Sequence, residues 1–195
     1  MSMRPPHLLG LTGYAGSGKD TTRDILAKHG YFGMAFADPI REMLKPLLLA
    51  CGIDLSYMTA RHLKEQPMPV LGVSYRQLAQ TLGTEWGRAQ APDFWLKIAA
   101  ASMTEVSLST FGPPNFVISD VRFPNEAEWI RQQGGQVWRV DRADVEHVRQ
   151  HTSEALINWI EPDVTLDNNG SIGDLHSAVK DALARQSSTE ETQPE

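Results

Sequence analysis

The stretch Gly13-Tyr14-Ala15-Gly16-Ser17-Gly18-Lys19-Asp20-Thr21 constrains this chain more than any other. A short apolar run, Leu8 to Leu11, precedes it and reads as a buried strand. Thr22 to His29 follows as a helix, with Ile25 and Leu26 on one apolar face and Gly30 placed for a left-handed stop. A glycine loop between a strand and a helix is a phosphate cradle. The glycines let backbone N–H groups converge on one anion, and the helix N-terminus adds the positive end of its dipole. Gly13, Ala15, Gly16, Ser17, Gly18, Lys19, Asp20 and Thr21 are therefore the expected phosphate-binding residues for a nucleoside triphosphate. Lys19 reaches the β- and γ-phosphates as a point charge. The competing reading is a glycine-rich turn that happens to hold a lysine, and both flanks argue against it.

The residue after the lysine of such a loop is ordinarily Ser or Thr, whose hydroxyl ligates Mg²⁺. Here that slot is Asp20, and the hydroxyl comes one residue later, at Thr21. The G-S-G-K-x-T spacing is similar to that of adenylate-kinase-like nucleotide kinases and unlike that of GTPases. The resemblance implies a Mg²⁺ held largely through water.

At 195 residues the chain can bury a proper core as one domain. The expected layout is a single P-loop kinase domain over 1–185, with an insertion at about 38–110 and a lid at about 142–158. From Gln186 to Glu195 the polar, glutamate-bearing tail is expected to be disordered. A net charge of −6 leaves no basic footprint, which argues against nucleic acid as a partner. A single cysteine, Cys51, excludes an internal disulfide and a multi-cysteine metal site. No apolar run approaches the ~20 residues of a membrane span, and Met1 to Pro6 lacks a signal-peptide core, so a cytoplasmic protein is expected.

Strands are expected at Tyr31 to Phe36, Phe116 to Ile118, Val137 to Val140 and Val164 to Leu166. Asp38-Pro39 reads as an N-cap and first-turn proline, followed by Ile40, Met43, Leu44 and Leu47 at helical spacing and a kink or end at Pro46. Gly52 to Val73 reads as a loop or lid-like insertion. Ser74 to Leu82 is a short helix stopped by Gly83, and Thr84 to Ala91 a turn. Pro92 opens a longer helix with Phe94, Trp95, Ile98 and Ala99 as its buried stripe. Gly112-Pro113-Pro114 breaks it. Pro124 opens another helix, and Ile172 to Ala184 closes the chain. Strands alternating with helices give an α/β fold, a parallel sheet of about five strands flanked by helices.

Asp120 ends the apolar strand Phe116 to Ile118, where an acid can hold a Mg²⁺ water; the structural alternative is a helix N-cap. Arg122, two residues on, suits bidentate phosphate contacts. Arg41, Arg76 and Arg88 lie in the insertion, where any one alone reads as a solvated surface residue. Trp86 and Trp95 can stack on a base, although helical spacing favours packing for Trp95. Asp167 to Gly170 follows the last strand, where Asn168 and Gly170 can touch the nucleotide base. His151 and Glu154 are either a functional pair or a solvated helix face.

Together these residues resemble the deoxynucleoside monophosphate kinases of bacteriophages. The resemblance runs through Leu11 to Thr22, Pro39-Ile40-Arg41, Arg76-Gln77-Leu78 with Gln80, Leu82-Gly83-Thr84 and Trp95. It continues through Asp120-Val121-Arg122 with Glu126, Val140 with Arg142, His151 with Glu154, and Asn168 with Gly170-Ser171. It implies the P-loop NTPase fold in its nucleoside-monophosphate-kinase form, with a helical acceptor-binding insertion and a lid. It also implies transfer of the γ-phosphoryl of ATP to a deoxynucleoside 5′-monophosphate with Mg²⁺. Lys19, Arg122 and Asp120 are then the catalytic candidates, with Asp120 toward the metal. Asp38, Arg41, Arg76, Gln80, Arg88, Trp95, Arg122, Arg142, His151 and Glu154 are the acceptor-binding candidates. Small nucleotides are the expected partners, and a homodimer is left open. The rival reading is a P-loop kinase for another small molecule, such as dephospho-coenzyme A. A GTP-dependent switch is disfavoured because no N-K-x-D guanine motif is present.

Overall fold

The structure is a computed structural model and describes residues 7–110, 114–143 and 156–188. The chain divides into two compact units, one formed by residues up to Ala35 together with those from Ser102 onward, the other by Phe36–Ala101.

The first unit is built on five parallel strands: β1 (Leu8–Thr12), β2 (Tyr31–Met34), β3 (Asn115–Ile118), β4 (Gln136–Asp141) and β5 (Val164–Asp167), in the order β2-β3-β1-β4-β5. Every residue of β1 is buried, which explains its unbroken apolar run: a central parallel strand is covered on both faces. Leu9 pairs with Val117, Leu11 with Trp138 and Val140 with Leu166. Their side chains join Ile25 and Leu26 of α1 (Lys19–Lys28), and Leu175, Val179 and Ala182 from the last helix, in one core. That last helix runs Ile172–Ser188, three residues past the point where a disordered tail was expected to begin. It is α8 in chain order. The opposite face is covered by α7 (Pro124–Gln132), whose Ile130 is fully buried. The connection leaving β1 runs past β3 to β2, and the one leaving β3 runs past β1 to β4, so the carboxyl ends of β1 and β3 flank the point where strand order reverses. Open parallel sheets bind ligands at such a point.

The second unit is helical: α2 (Asp38–Ala50), α3 (Ser56–Thr59), α4 (Tyr75–Gln80), a π-helical turn (Thr81–Gly87), α5 (Arg88–Gln90) and the start of α6 (Phe94–Ser109). Several details differ from expectation. Asp38 is not an N-cap but a first-turn residue, after Ala37. Helix α2 runs through Pro46, carried by Ile40, Leu44 and Leu48, which are buried; Met43 and Leu47 are exposed. Part of the expected loop between Gly52 and Val73 is helical at α3, and its end is pinned by a bridge between Pro67 and Ser74.

Gly83 does not stop α4, and Thr84 to Ala91 is not a plain turn; the chain stays helical from Tyr75 to Gln90. The glycines there serve packing. A Cβ on Gly87 would lie 2.4 Å from the Trp95 ring, and the Trp95 indole N–H donates to the Gly83 carbonyl at 2.6 Å. In α6 the buried residues are Trp95, Leu96 and Ala99, so Leu96 takes the place expected of Ile98.

Candidate active site

The glycine loop leaves β1 and enters α1 as expected. Gly13, Gly16 and Gly18 hold φ values of +138°, +85° and +108°, conformations that residues with a Cβ rarely adopt. Gly18 is the residue before the first turn of α1, and Thr22 N–H already donates to its carbonyl at 2.9 Å. The Lys19 ammonium donates back to the carbonyls of Gly13 and Tyr14 at 2.6 and 2.7 Å, which folds the charge over the loop. Ser17 Oγ and Thr12 Oγ1 are buried hydroxyls with no hydrogen-bond partner. Left-handed glycines, a helix N-terminus and two buried polar atoms without partners fit a bound polyphosphate. Asp20 is exposed and pairs with Arg23 at 3.5 Å. Ala15 and Thr21 are partly exposed.

Asp120 and Arg122 follow β3, which pairs with β1, the strand that leads into the loop. The Val121 N–H donates to the Leu11 carbonyl at 3.0 Å, fixing the chain after β3 against the end of β1. Asp120 does not cap α7. Phe123 holds that position, and the buried Glu126 carboxylate accepts from the N–H groups of Arg122 and Phe123 at 2.8 and 3.1 Å. Asp120 itself follows β3 by two residues and is half-buried. Asp120, Thr21 and Thr12 are all oxygen donors, the chemistry that suits Mg²⁺, which usually keeps several of its waters.

Asn168 lies against the loop: its Nδ2 donates to the Ser17 carbonyl at 2.7 Å. Gly170 is packed on the Asp174 carboxylate. Ser171 N–H and Oγ both donate to that carboxylate, at 2.7 and 2.8 Å, and hold its pKa below the ordinary aspartate value. Arg142 is exposed just past β4. His151 and Glu154 lie outside the described residues.

In the second unit, Arg41 is ion-paired with Asp38 one helical turn earlier. Tyr75, at the start of α4, is buried; burial pushes its phenol pKa up, and the Arg41 guanidinium pulls the other way. Arg76 pairs with Glu65. Gln80 is half-buried on the same helix, and Arg88 donates to the Pro92 carbonyl at 3.4 Å. Trp95 is 4% exposed, with its N–H committed to Gly83, so its role within this unit is packing. Trp86 is 43% exposed and meets Phe94 edge-on.

A family model described as deoxynucleotide monophosphate kinase matches residues 56–179. A protein of Acanthamoeba polyphaga mimivirus, provisionally described as a deoxynucleotide monophosphate kinase, is 31% identical over 182 residues, covering 88% of this chain and 93% of that protein. The chain belongs to the deoxynucleotide monophosphate kinase family. It is a nucleotide kinase, a phosphotransferase, and this membership favours nucleotide phosphorylation over the dephospho-coenzyme A-like alternative. The deoxynucleotide monophosphate kinase of Escherichia phage RB69 is 30% identical over 115 residues, covering 56% of this chain and 45% of that protein. A solved gluconokinase from Sinorhizobium meliloti 1021 superposes with a TM-score of 0.50 at 16% identity, covering 98% of this chain and 99% of that one. That likeness is one of fold alone, and the fold is that of P-loop kinases.

Three contacts of this kinase were not expected from its sequence as structural partnerships. Glu126 stands three residues after Phe123, the spacing at which a glutamate reaches back to the N-cap N–H, although Phe123 has no side-chain acceptor to return the bond. Glu65 sits in a stretch with no periodicity, so nothing pointed to Arg76. Tyr14 donates its phenol to Asn158 Oδ1 at 2.7 Å across 144 residues of sequence, a separation that no local pattern spans.

Proposed function

We propose that the enzyme transfers the γ-phosphoryl of ATP to a deoxynucleoside 5′-monophosphate, giving the diphosphate and ADP. The observation that carries this reading is Lys19 folded over a left-handed glycine loop at the strand-order reversal, in a chain of this family. Lys19 and the loop N–H groups would hold the ATP phosphates. Arg122 would meet the transferring group, and Arg41 and Arg76 the acceptor. Bound Mg²⁺ would supply charge neutralisation on the phosphates, held by Asp120 and Thr21 largely through its waters. The acceptor phosphate is already ionised at neutral pH, so no general base is needed. Catalysis is then positioning plus electrostatic stabilisation in a single in-line displacement. An intracellular, nucleotide-metabolising role follows from these substrates.

The test is ADP release with ATP and a panel of acceptors: all deoxy- and ribonucleoside monophosphates, and dephospho-coenzyme A. ADP release that depends on deoxynucleotides supports the reading. Release that needs no acceptor, or that occurs only with dephospho-coenzyme A, overturns it.

A further inference from the structure

The Asn168 carboxamide holds the glycine loop. Its Nδ2 donates to the Ser17 carbonyl at 2.7 Å and lies 2.3 Å from where a Cβ on Gly18 would stand. The carboxamide reaches the loop because residue 18 has no side chain. Asn168 is itself held by its neighbours. Its backbone N–H donates to the Asp141 carbonyl at 2.8 Å, continuing the pairing of β4 and β5. The next residue, Asn169, accepts from Ala143 N–H at 2.7 Å, and its own N–H donates to the Asp167 carboxylate at 2.8 Å. Beyond it, Ser171 and Asp174 cap α8. The amide is therefore presented by a turn anchored at both ends.

A trans peptide holds its C=O and N–H on opposite sides. With the Ser17 carbonyl held by Asn168, the Gly18 N–H is turned the other way, away from Asn168. Gly18, at φ +108°, presents little steric barrier to a flip of that peptide. Ser17 has few other anchors: its N–H donates to the Tyr14 carbonyl at 3.1 Å, and its hydroxyl is buried without a partner. We propose that Asn168 is a positioning residue for phosphate binding, locking the Ser17–Gly18 peptide so that the Gly18 N–H serves the nucleotide phosphates. This inference rests on the reading of the loop as a triphosphate cradle. It gives Asn168 a different task from the base contact expected of it in the sequence.

The experiment uses the full chain and three probes, namely ATP, adenosine and inorganic tripolyphosphate, titrated against wild type, Asn168→Ala and Asn168→Asp. Loss of a hydrogen bond that holds a phosphate donor should weaken ATP and tripolyphosphate by the same factor, roughly tenfold, in Asn168→Ala. Adenosine affinity and acceptor KM should stay unchanged. Asn168→Asp sets a carboxylate against the Ser17 carbonyl and should lose more. Loss of adenosine and ATP affinity with tripolyphosphate untouched means a base contact and overturns the proposal. A parallel loss for all three probes and for the acceptor means a merely structural role, and overturns it too. If Asn168→Ala does not fold, Asn168→Ser is measured in its place by the same criteria. Wild-type protein that binds neither ATP nor tripolyphosphate overturns the cradle reading itself, whereas wild-type binding that Asn168→Ala leaves intact overturns this inference alone.

Discussion

Lys19→Met removes one ammonium and keeps a stem of similar length, so it isolates the charge. In the ligand-free loop that ammonium is shared between the Gly13 and Tyr14 carbonyls, at 2.6 and 2.7 Å. Charge-assisted bonds of this kind contribute roughly 1.5–3 kcal/mol each, but a half-buried site lets water replace part of that. The loop should therefore survive, with a small loss of stability. Turnover should suffer far more. Charge builds on the phosphoryl oxygens in the transition state, and removing even a neutral donor from such a site costs about 10²–10³ in kcat. A full positive charge sets the expectation at about 10³-fold, close to 4 kcal/mol. Lys19→Arg should also be impaired, because a planar guanidinium cannot converge on two carbonyls as a compact ammonium does. The assay is coupled ADP release at saturating ATP and acceptor, with circular dichroism as the control for folding. A folded Lys19→Met enzyme within about tenfold of wild-type turnover would refute the reasoning.

Arg41→Ala and Arg76→Ala should raise the acceptor KM by about 10- to 150-fold and leave ATP affinity nearly unchanged, since on the proposed assignment each removes a charge-assisted phosphate contact. Acceptor kinetics beside calorimetric titration of an ATP analogue checks this, and lost ATP affinity with a normal acceptor KM would reverse the assignment. Trp95→Phe should destabilise the enzyme by about 2–3 kcal/mol, because the buried Gly83 carbonyl loses its donor; urea unfolding measures it. Asp174 carries a folded pKa below its ordinary value, so its contribution is present above the unfolded pKa and is lost as pH falls through the folded one. Hydrogen exchange in the first turn of α8 should therefore accelerate below about pH 4, and an Asp174→Ala variant should exchange quickly without that dependence.

The strands and the glycine loop were legible because their signals are local. An unbroken apolar run can only be a covered strand or a buried helix, and the glycines and lysine after Leu8 to Leu11 decide between them. The helical unit was harder for a physical reason. Glycine and proline carry strong local meanings, and tertiary packing overrode them at Gly83, Gly87 and Pro46. Gly87 was read as part of a turn, yet its missing side chain makes room for Trp95, some eight residues along. Asn168 was singled out for a base contact by its place after the last strand. Its hydrogen bond to Ser17 joins residues 151 positions apart and left no mark in either segment.

Phosphate binding and acceptor selection are separate tasks in a nucleotide kinase. A gluconokinase at 16% identity shares the fold, so the fold by itself cannot select an acceptor. Phosphate binding by backbone N–H groups and one lysine reads only charge and shape, properties that every nucleoside triphosphate offers. Discrimination needs side chains placed for one acceptor. The arginines proposed for that task do not wait as loose charges: Arg41 is paired with Asp38 and Arg76 with Glu65. A dianionic phosphate that engages either arginine has to compete with a carboxylate already in place. On the proposed assignment a weaker anion would lose that competition, so the acidic partners would sharpen selection for a phosphomonoester at some expense in affinity.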